Sequence, residues 1–313
     1  MYSTHTPTLL ALTSQGKVQY TTFPTQSIFF FAFDMNVSIS GLLGILPSGD
    51  IVNVPSTFFS DVAVRQMMVH AWPYATYQNT IATVDGVQYG FQYGGVIPQF
   101  MGNYYPTNIS WPSGNPITNP SVVGSAAWWW AQGTNLSSPY FSKLLAACTS
   151  ANPCIYPIIG QLGNPGLDDA LTLYISEIEQ ITGGAVQPYS YDITFTDAVV
   201  YSVSSEPGHS PVNLFTLGWI PDYPDPSNNF AAMYQPNATY TTGTALYQAW
   251  SLPAFNNASC GYSDYSSWAA LSHWANIGYL PQDCQGVAYQ TLSAWSITAL
   301  HEPDLTQRTL DYN

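Results

Sequence analysis

The residues best placed to do chemistry stand together in the run Leu217-Gly218-Trp219-Ile220-Pro221-Asp222-Tyr223-Pro224-Asp225-Pro226. Two carboxylates and two aromatic rings share this run with three prolines, which stiffen the backbone by fixing φ. The apolar segment Val212 to Leu217 reads as a buried strand that delivers the loop. A carboxylate held among aromatic and proline neighbours is costly to bury without a partner, and a cationic ligand group is one such partner. A second reading stays open: a proline-rich surface turn whose Asp residues cap the next segment.

Other chemistry is missing from the sequence. There is no G-x-S-x-G, no H-E-x-x-H, no phosphate-binding glycine loop and no calcium-loop pattern. The five histidines, His5, His70, His209, His273 and His301, are scattered. No catalytic residue, metal ligand or cofactor is expected, and nothing in the sequence argues for an enzyme. Asp168, Asp169, Glu177 and Glu179 resemble a carboxylate set but fall off the apolar stripe of their helix, so a solvated face is expected. Trp128-Trp129-Trp130 reads mainly as packing, because consecutive residues cannot all face one way.

The elements that must position the loop follow from pattern. The best helix runs from about Pro165 to Thr182, with Leu167, Leu171, Tyr174, Ile178 and Ile181 at helical period, Pro165 in the first turn and Gly183-Gly184 as the stop. A strand at Tyr189 to Phe195, a short helix from about Thr196 and the strand Val212 to Leu217 make a β-α-β unit. In such a unit ligands lie outside the carboxyl ends of the strands. Upstream, Lys17 to Asn36 reads as two strands, the second being the apolar run Ile28 to Phe33, which is expected to be covered on both faces. Gly41 to Pro55 reads as a loop, and Tyr89 to Ser138 shows no sustained periodicity. Ser60 or Asp61 should cap a helix whose stripe is Val64, Met67, Met68 and Ala71 and which Pro73 ends. Arg65 is expected to tie that helix to a carboxylate or to carbonyls. Segments 243–251, 262–274 and 284–300 read as helices.

The stretch Gly218-Trp219-Ile220-Pro221-Asp222-Tyr223-Pro224-Asp225-Pro226, followed by Ser227 to Tyr234, resembles the extracellular solute-binding proteins of peptide and nickel ABC importers. So does Phe59-Ser60-Asp61-Val62-Ala63-Val64-Arg65-Gln66, which matches the family's F-x-D-x-x-V-R-Q helix start. Looser likeness covers Phe33 to Asn36 and Gly261 to Ser263. The resemblance implies an α/β, two-lobed, type II periplasmic-binding-protein-like fold, incomplete at both ends. Residues 1–93 would form part of the first lobe and 94–313 the second lobe with its C-terminal helices. It also implies that Asp222 pairs with a peptide's α-ammonium group, with Trp219 as cleft wall; Tyr223 is a further ligand candidate, and Asp225 is expected to fix the loop. Thr216 stands where some members carry an arginine for the peptide carboxylate, which leaves oligosaccharides open as ligands beside peptides. The implied partners are an ABC importer permease and the remaining part of the first lobe, in the same precursor or in another chain.

Composition narrows the setting. Only 7% of residues are charged, against roughly 25% in ordinary soluble domains. The net charge is −14, with Lys17, Arg65, Lys143 and Arg308 as the whole complement of Lys and Arg, so binding to a run of nucleic-acid phosphates is excluded. Sparse charge of both signs fits an acid-living, archaeal source. Sequons begin at Asn36, Asn108, Asn135, Asn237 and Asn257, as expected of a glycosylated exterior protein. The four cysteines allow three connectivities; the two local pairs, Cys148 with Cys154 and Cys260 with Cys284, are expected to be disulfides. No leader peptide or membrane span is present in the sequence, so a leader and an anchor are expected in segments outside it. A rival reading is a glycosylated cell-surface or filament subunit that reuses this fold.

Overall fold

The computed structural model describes residues 6–19, 27–34, 37–84, 86–91, 97–105, 118–202, 210–234 and 299–312. Its centre is a four-stranded mixed sheet in the order β1 (Ile28–Phe33), β6 (Leu214–Trp219), β4 (Cys154–Gln161), β5 (Val186–Ile193). Strands β4, β5 and β6 are parallel, and β1 is antiparallel to β6, from Ile28 opposite Trp219 to Phe33 opposite Leu214. A separate two-residue ladder joins β2 (Thr83–Val84) to β3 (Val87–Gln88). The β-α-β unit is therefore present: β5, then α8 (Phe195–Ser202), then β6 on the far side of β4.

Strand β4 is the central element that the sequence pattern hid, because Pro157 interrupts it and proline is normally kept out of central strands. The register explains the tolerance. Cys154 N donates to Ala185 O on the β5 side, and Ile155 O accepts from Asn53 N on the other. By alternation the nitrogen of Pro157 faces that second side, where pairing with β6 begins only at Ile158. No ladder bond is lost there.

The helices cover both faces. On one, α3 (Val62–Ala71), α5 (Ala126–Thr134) and α7 (Pro165–Thr182) bury Val64, Met67, Met68, Leu171 and Tyr174 against Tyr156, Ile158 and Leu214. Two phenols set the depth of this layer: Tyr174 Oη donates to Met68 O at 2.8 Å, and Tyr156 Oη reaches Met68 Sδ at 3.2 Å. Burial pushes both hydroxyls well above the usual tyrosine range. On the other face α2 (Ile39–Ile45) and α8 pack Leu42, Ala198, Ile193, Val212 and Phe215. Elements from both sides of residue 93 contribute to each core.

Local chemistry explains the helix ends. Asp61 caps α3, its Oδ1 accepting from Ala63 N at 2.8 Å and Val64 N at 3.3 Å, while Oδ2 accepts from Ser142 Oγ at 2.8 Å. Ser142 in turn caps α6 (Lys143–Ala147), so one carboxylate fastens two helix starts. Arg65 Nη1 donates to the Phe59 carbonyl at 2.6 Å, the structural tie expected of it. Helix α7 starts at Pro165 behind Asn164 and stops at Gly183, whose φ of 60° is the left-handed cap that glycine adopts without steric cost. Cys148 and Cys154 form the first expected disulfide, with Cα atoms 5.2 Å apart, joining the end of α6 to the start of β4.

Several expectations are corrected. Residues 41–45 lie in α2, capped by Ser38, rather than in a loop, because the short apolar run can bury Leu42. Residues 126–134 form α5, although three adjacent tryptophans mask any period; Trp129 enters the core while Trp128 and Trp130 flank it, with Tyr140 against Trp128 and Trp129. Strand β1, expected to be covered on both faces, is paired with β6 along one side, from Ile28 opposite Trp219 to Phe33 opposite Leu214, and leaves Phe29 exposed. Helix α1 (Thr6–Ser14), α4 (Tyr74–Thr76) and the irregular turn at Tyr77–Ile81 were not anticipated. The first strand expected after Lys17 falls largely on residues 20–26, and the helices expected at 243–251, 262–274 and most of 284–300, the Cys260–Cys284 pair and the sequons at Asn36, Asn108, Asn237 and Asn257 also lie outside the described residues.

Candidate functional site

Because β4, β5 and β6 run parallel, their carboxyl ends share one edge of the sheet, where no strand continues and the connecting loops turn away. Strand β6 delivers Trp219 there, and residues 220–225 form the loop that leads into α9 (Pro226–Tyr234). Asp222 and Tyr223 are exposed on this loop, and Trp219 is half-buried beside it. Phe29 sits over Gly218 at the same edge, its ring carbon within 3.4 Å of where a Cβ would stand.

The loop is braced from behind by residues that pattern reading missed. Asn228, only 6% exposed, accepts from Trp219 Nε1 at 3.0 Å and from Asp222 N at 3.4 Å through its Oδ1. Asp225 caps α9 by accepting from Ser227 N at 2.9 Å, and its other oxygen meets Arg308 Nη2 at 2.6 Å, tying α10 (Leu305–Tyr312) to the loop. Tyr223 Oη lies 3.4 Å from Ser227 Oγ. So the two acids divide the work. Asp225 is a structural cap and ion-pair partner, as expected, whereas Asp222 uses its backbone for the fold and presents its side chain outward. A helix-forming "S-N-N-F" segment offers no pattern that would mark Asn228; only the fold brings its amide under Trp219.

A hollow of ≈ 360 Å³ opens beside this edge, between α2, the ends of β4 and β5 and the start of α8, with Leu162, Tyr191, Thr194 and Asp197 on its wall. Tyr191 Oη donates to Ile45 O at 2.8 Å, and Thr194 and Asp197 bond each other as the cap of α8. Thr216 is buried in β6 and donates to Ile159 O at 3.4 Å, so that position faces the sheet interior.

The acids of α7 are only partly a solvated face. Asp169 and Glu179 are exposed, but Asp168 turns toward Asp192 of β5. Burial first, then the Asp168 charge, raises the Asp192 carboxyl above its ordinary value, and a Cβ on Gly160 would overlap Asp192 Oδ1. Burial likewise raises Glu177 and lowers His70, whose Nδ1 has no protein hydrogen bond. Among the described residues no group of three or more His, Cys, Asp or Glu could hold a metal ion, and no helix is long and apolar enough to cross a membrane.

No family model matches the sequence, and no curated protein does. Solved structures do match by shape. The periplasmic murein tripeptide-binding protein MppA, in its unliganded open form, superposes with a TM-score of 0.53 at 14% identity, covering 97% of this chain and 42% of its own. The oligopeptide-binding protein AppA of Bacillus subtilis, in complex with a nonapeptide, gives 0.50 at 11% identity, covering 92% and 41%. The chain thus spans about two fifths of the length of these structures, and over that length it shares their α/β fold.

Proposed function

We propose that this chain belongs to the substrate-binding protein of an ABC importer and that it holds a peptide against the carboxyl edge of its sheet. Asp222 would meet the ligand's ammonium group, and Trp219 and Tyr223 would line the wall. The observation that carries this reading is the division between the acids: Asp225 is consumed by Ser227 and Arg308, while Asp222 is held in place through its backbone and leaves its carboxylate outward. A rigid loop with an outward carboxylate needs no reorganisation to bind a cation, and an ammonium-carboxylate contact in a closed cleft is stronger than a neutral hydrogen bond. The shape likeness to proteins that bind a murein tripeptide and a nonapeptide supports the ligand class. The reading places the protein outside the cell, without catalysis, and with a permease as partner. Asn135, exposed just after α5, would carry sugar.

The test is calorimetry with a short peptide bearing a free amino terminus. Asp222→Asn should lose about 2–5 kcal/mol of affinity, the range for truncating one side of a desolvated charge pair. An unchanged affinity would remove Asp222 from the site.

A further inference from the structure

Resting on the reading above, we infer that the site selects cationic, apolar peptides and does not require a ligand carboxylate. The first observation concerns charge. The chain has four Lys and Arg residues in all. Arg308 is paired with Asp225 behind the loop, and Arg65 is turned onto the Phe59 carbonyl next to α3. Lys143 opens α6, whose far end is bonded through Cys148 to the start of β4, at the opposite end of that strand from the site. Lys17 follows α1. None of the segments that build the carboxyl edge, residues 27–30, 39–46, 160–165, 191–202 and 217–230, contains Lys, Arg or His. The same segments contribute the exposed Asp222 and the partly exposed Asp197, within a chain of net charge −14. A ligand carboxylate brought to this edge meets no Lys, Arg or His from these segments and is repelled by the surrounding field, whereas a cation is attracted from a distance.

The second observation concerns surface and is independent of charge. Large apolar side chains stand exposed along this edge: Phe29 at the start of β1, Leu162 after β4, Phe195 after β5, and Ile220 with Tyr223 after β6. All five lie at strand ends along this edge; other exposed apolar side chains, among them Val123, Leu136 and Leu305, stand elsewhere on the molecule. An apolar rim around the outward Asp222 carboxylate is complementary to a chain that alternates basic and apolar residues. A sugar offers neither the charge nor the aliphatic side chains, so the same argument ranks oligosaccharides below cationic peptides.

Calorimetry and salt titration on the full protein with synthetic pentapeptides test this. Four ligands are needed: alternating lysine and leucine as the free acid, the same peptide as its carboxyl-terminal amide, the amino-acetylated amide, and alternating glutamate and leucine. The lysine peptide should bind at least tenfold tighter than the glutamate peptide, its amide should bind within threefold of the acid, and both affinities should fall with added salt. Acetylation should weaken binding. The inference is overturned, with the peptide-binding function intact, if the glutamate peptide binds as well as the lysine peptide or if the amide loses tenfold against the acid. Failure of all four to bind would instead remove the peptide-binding function itself.

Discussion

Replacing Asn228 by alanine tests whether the loop that carries Asp222 is braced as described. The side chain is almost fully enclosed, and its Oδ1 serves two donors, Trp219 Nε1 at 3.0 Å and Asp222 N at 3.4 Å. Alanine removes the acceptor that both donors use. An unsatisfied enclosed donor costs roughly 1–3 kcal/mol. The indole bond is well formed and carries most of that, while the 3.4 Å bond is long and adds at the low end. The expected loss is about 2–3 kcal/mol, read as a shift in the urea midpoint at unchanged slope. Peptide affinity should fall as well, because the indole and the Asp222 backbone are then free to move in the unliganded state and must be ordered on binding. Asn228→Asp is the control. It keeps the acceptor in the first turn of α9, where a negative charge is favourable, and should recover most of the stability. If alanine leaves both midpoint and affinity at wild-type values, or if aspartate loses as much as alanine, the bracing role assigned to Asn228 is wrong.

Two further changes probe the scaffold. The Asp192 carboxyl is raised by burial and by Asp168, so the fold favours its protonated form. That contribution is fully present below the ordinary carboxylate pKa and is lost as pH rises through the raised folded value; Asp192→Asn should therefore stabilise the protein at neutral pH and gain little in acid, which thermal melts across the acid-to-neutral range would show, and a gain independent of pH would refute it. Cys148→Ser opens a disulfide between residues six apart in sequence, for which the chain-entropy relation gives about 2 kcal/mol; chemical denaturation under non-reducing conditions measures it, and a midpoint equal to wild type would show that the loop is held by other contacts.

What the sequence by itself determined here was whatever depends on neighbours along the chain. Helix α7 was legible to its end residues because a continuous 3.6 period, a proline at its start and a glycine at its stop all act within a few turns. A cap at Ser60 or Asp61, the α3 stripe and the local Cys148–Cys154 pair were legible for the same reason. The loop after Trp219 was also legible, since an apolar strand followed by prolines and acids must turn there, although local chemistry left open whether its acids bind or cap. Tertiary structure decided whatever depends on distant partners. Strand β4 carries a proline that local rules forbid in a sheet centre, and only the late start of the β6 ladder makes it harmless. Asp168 looked like surface until β5 brought Asp192 against it. Which acid of the loop is spent on the fold and which is left outward turned on Asn228 and on Arg308, 83 residues beyond Asp225, and such contacts leave no periodic trace because the chain between them is free to vary.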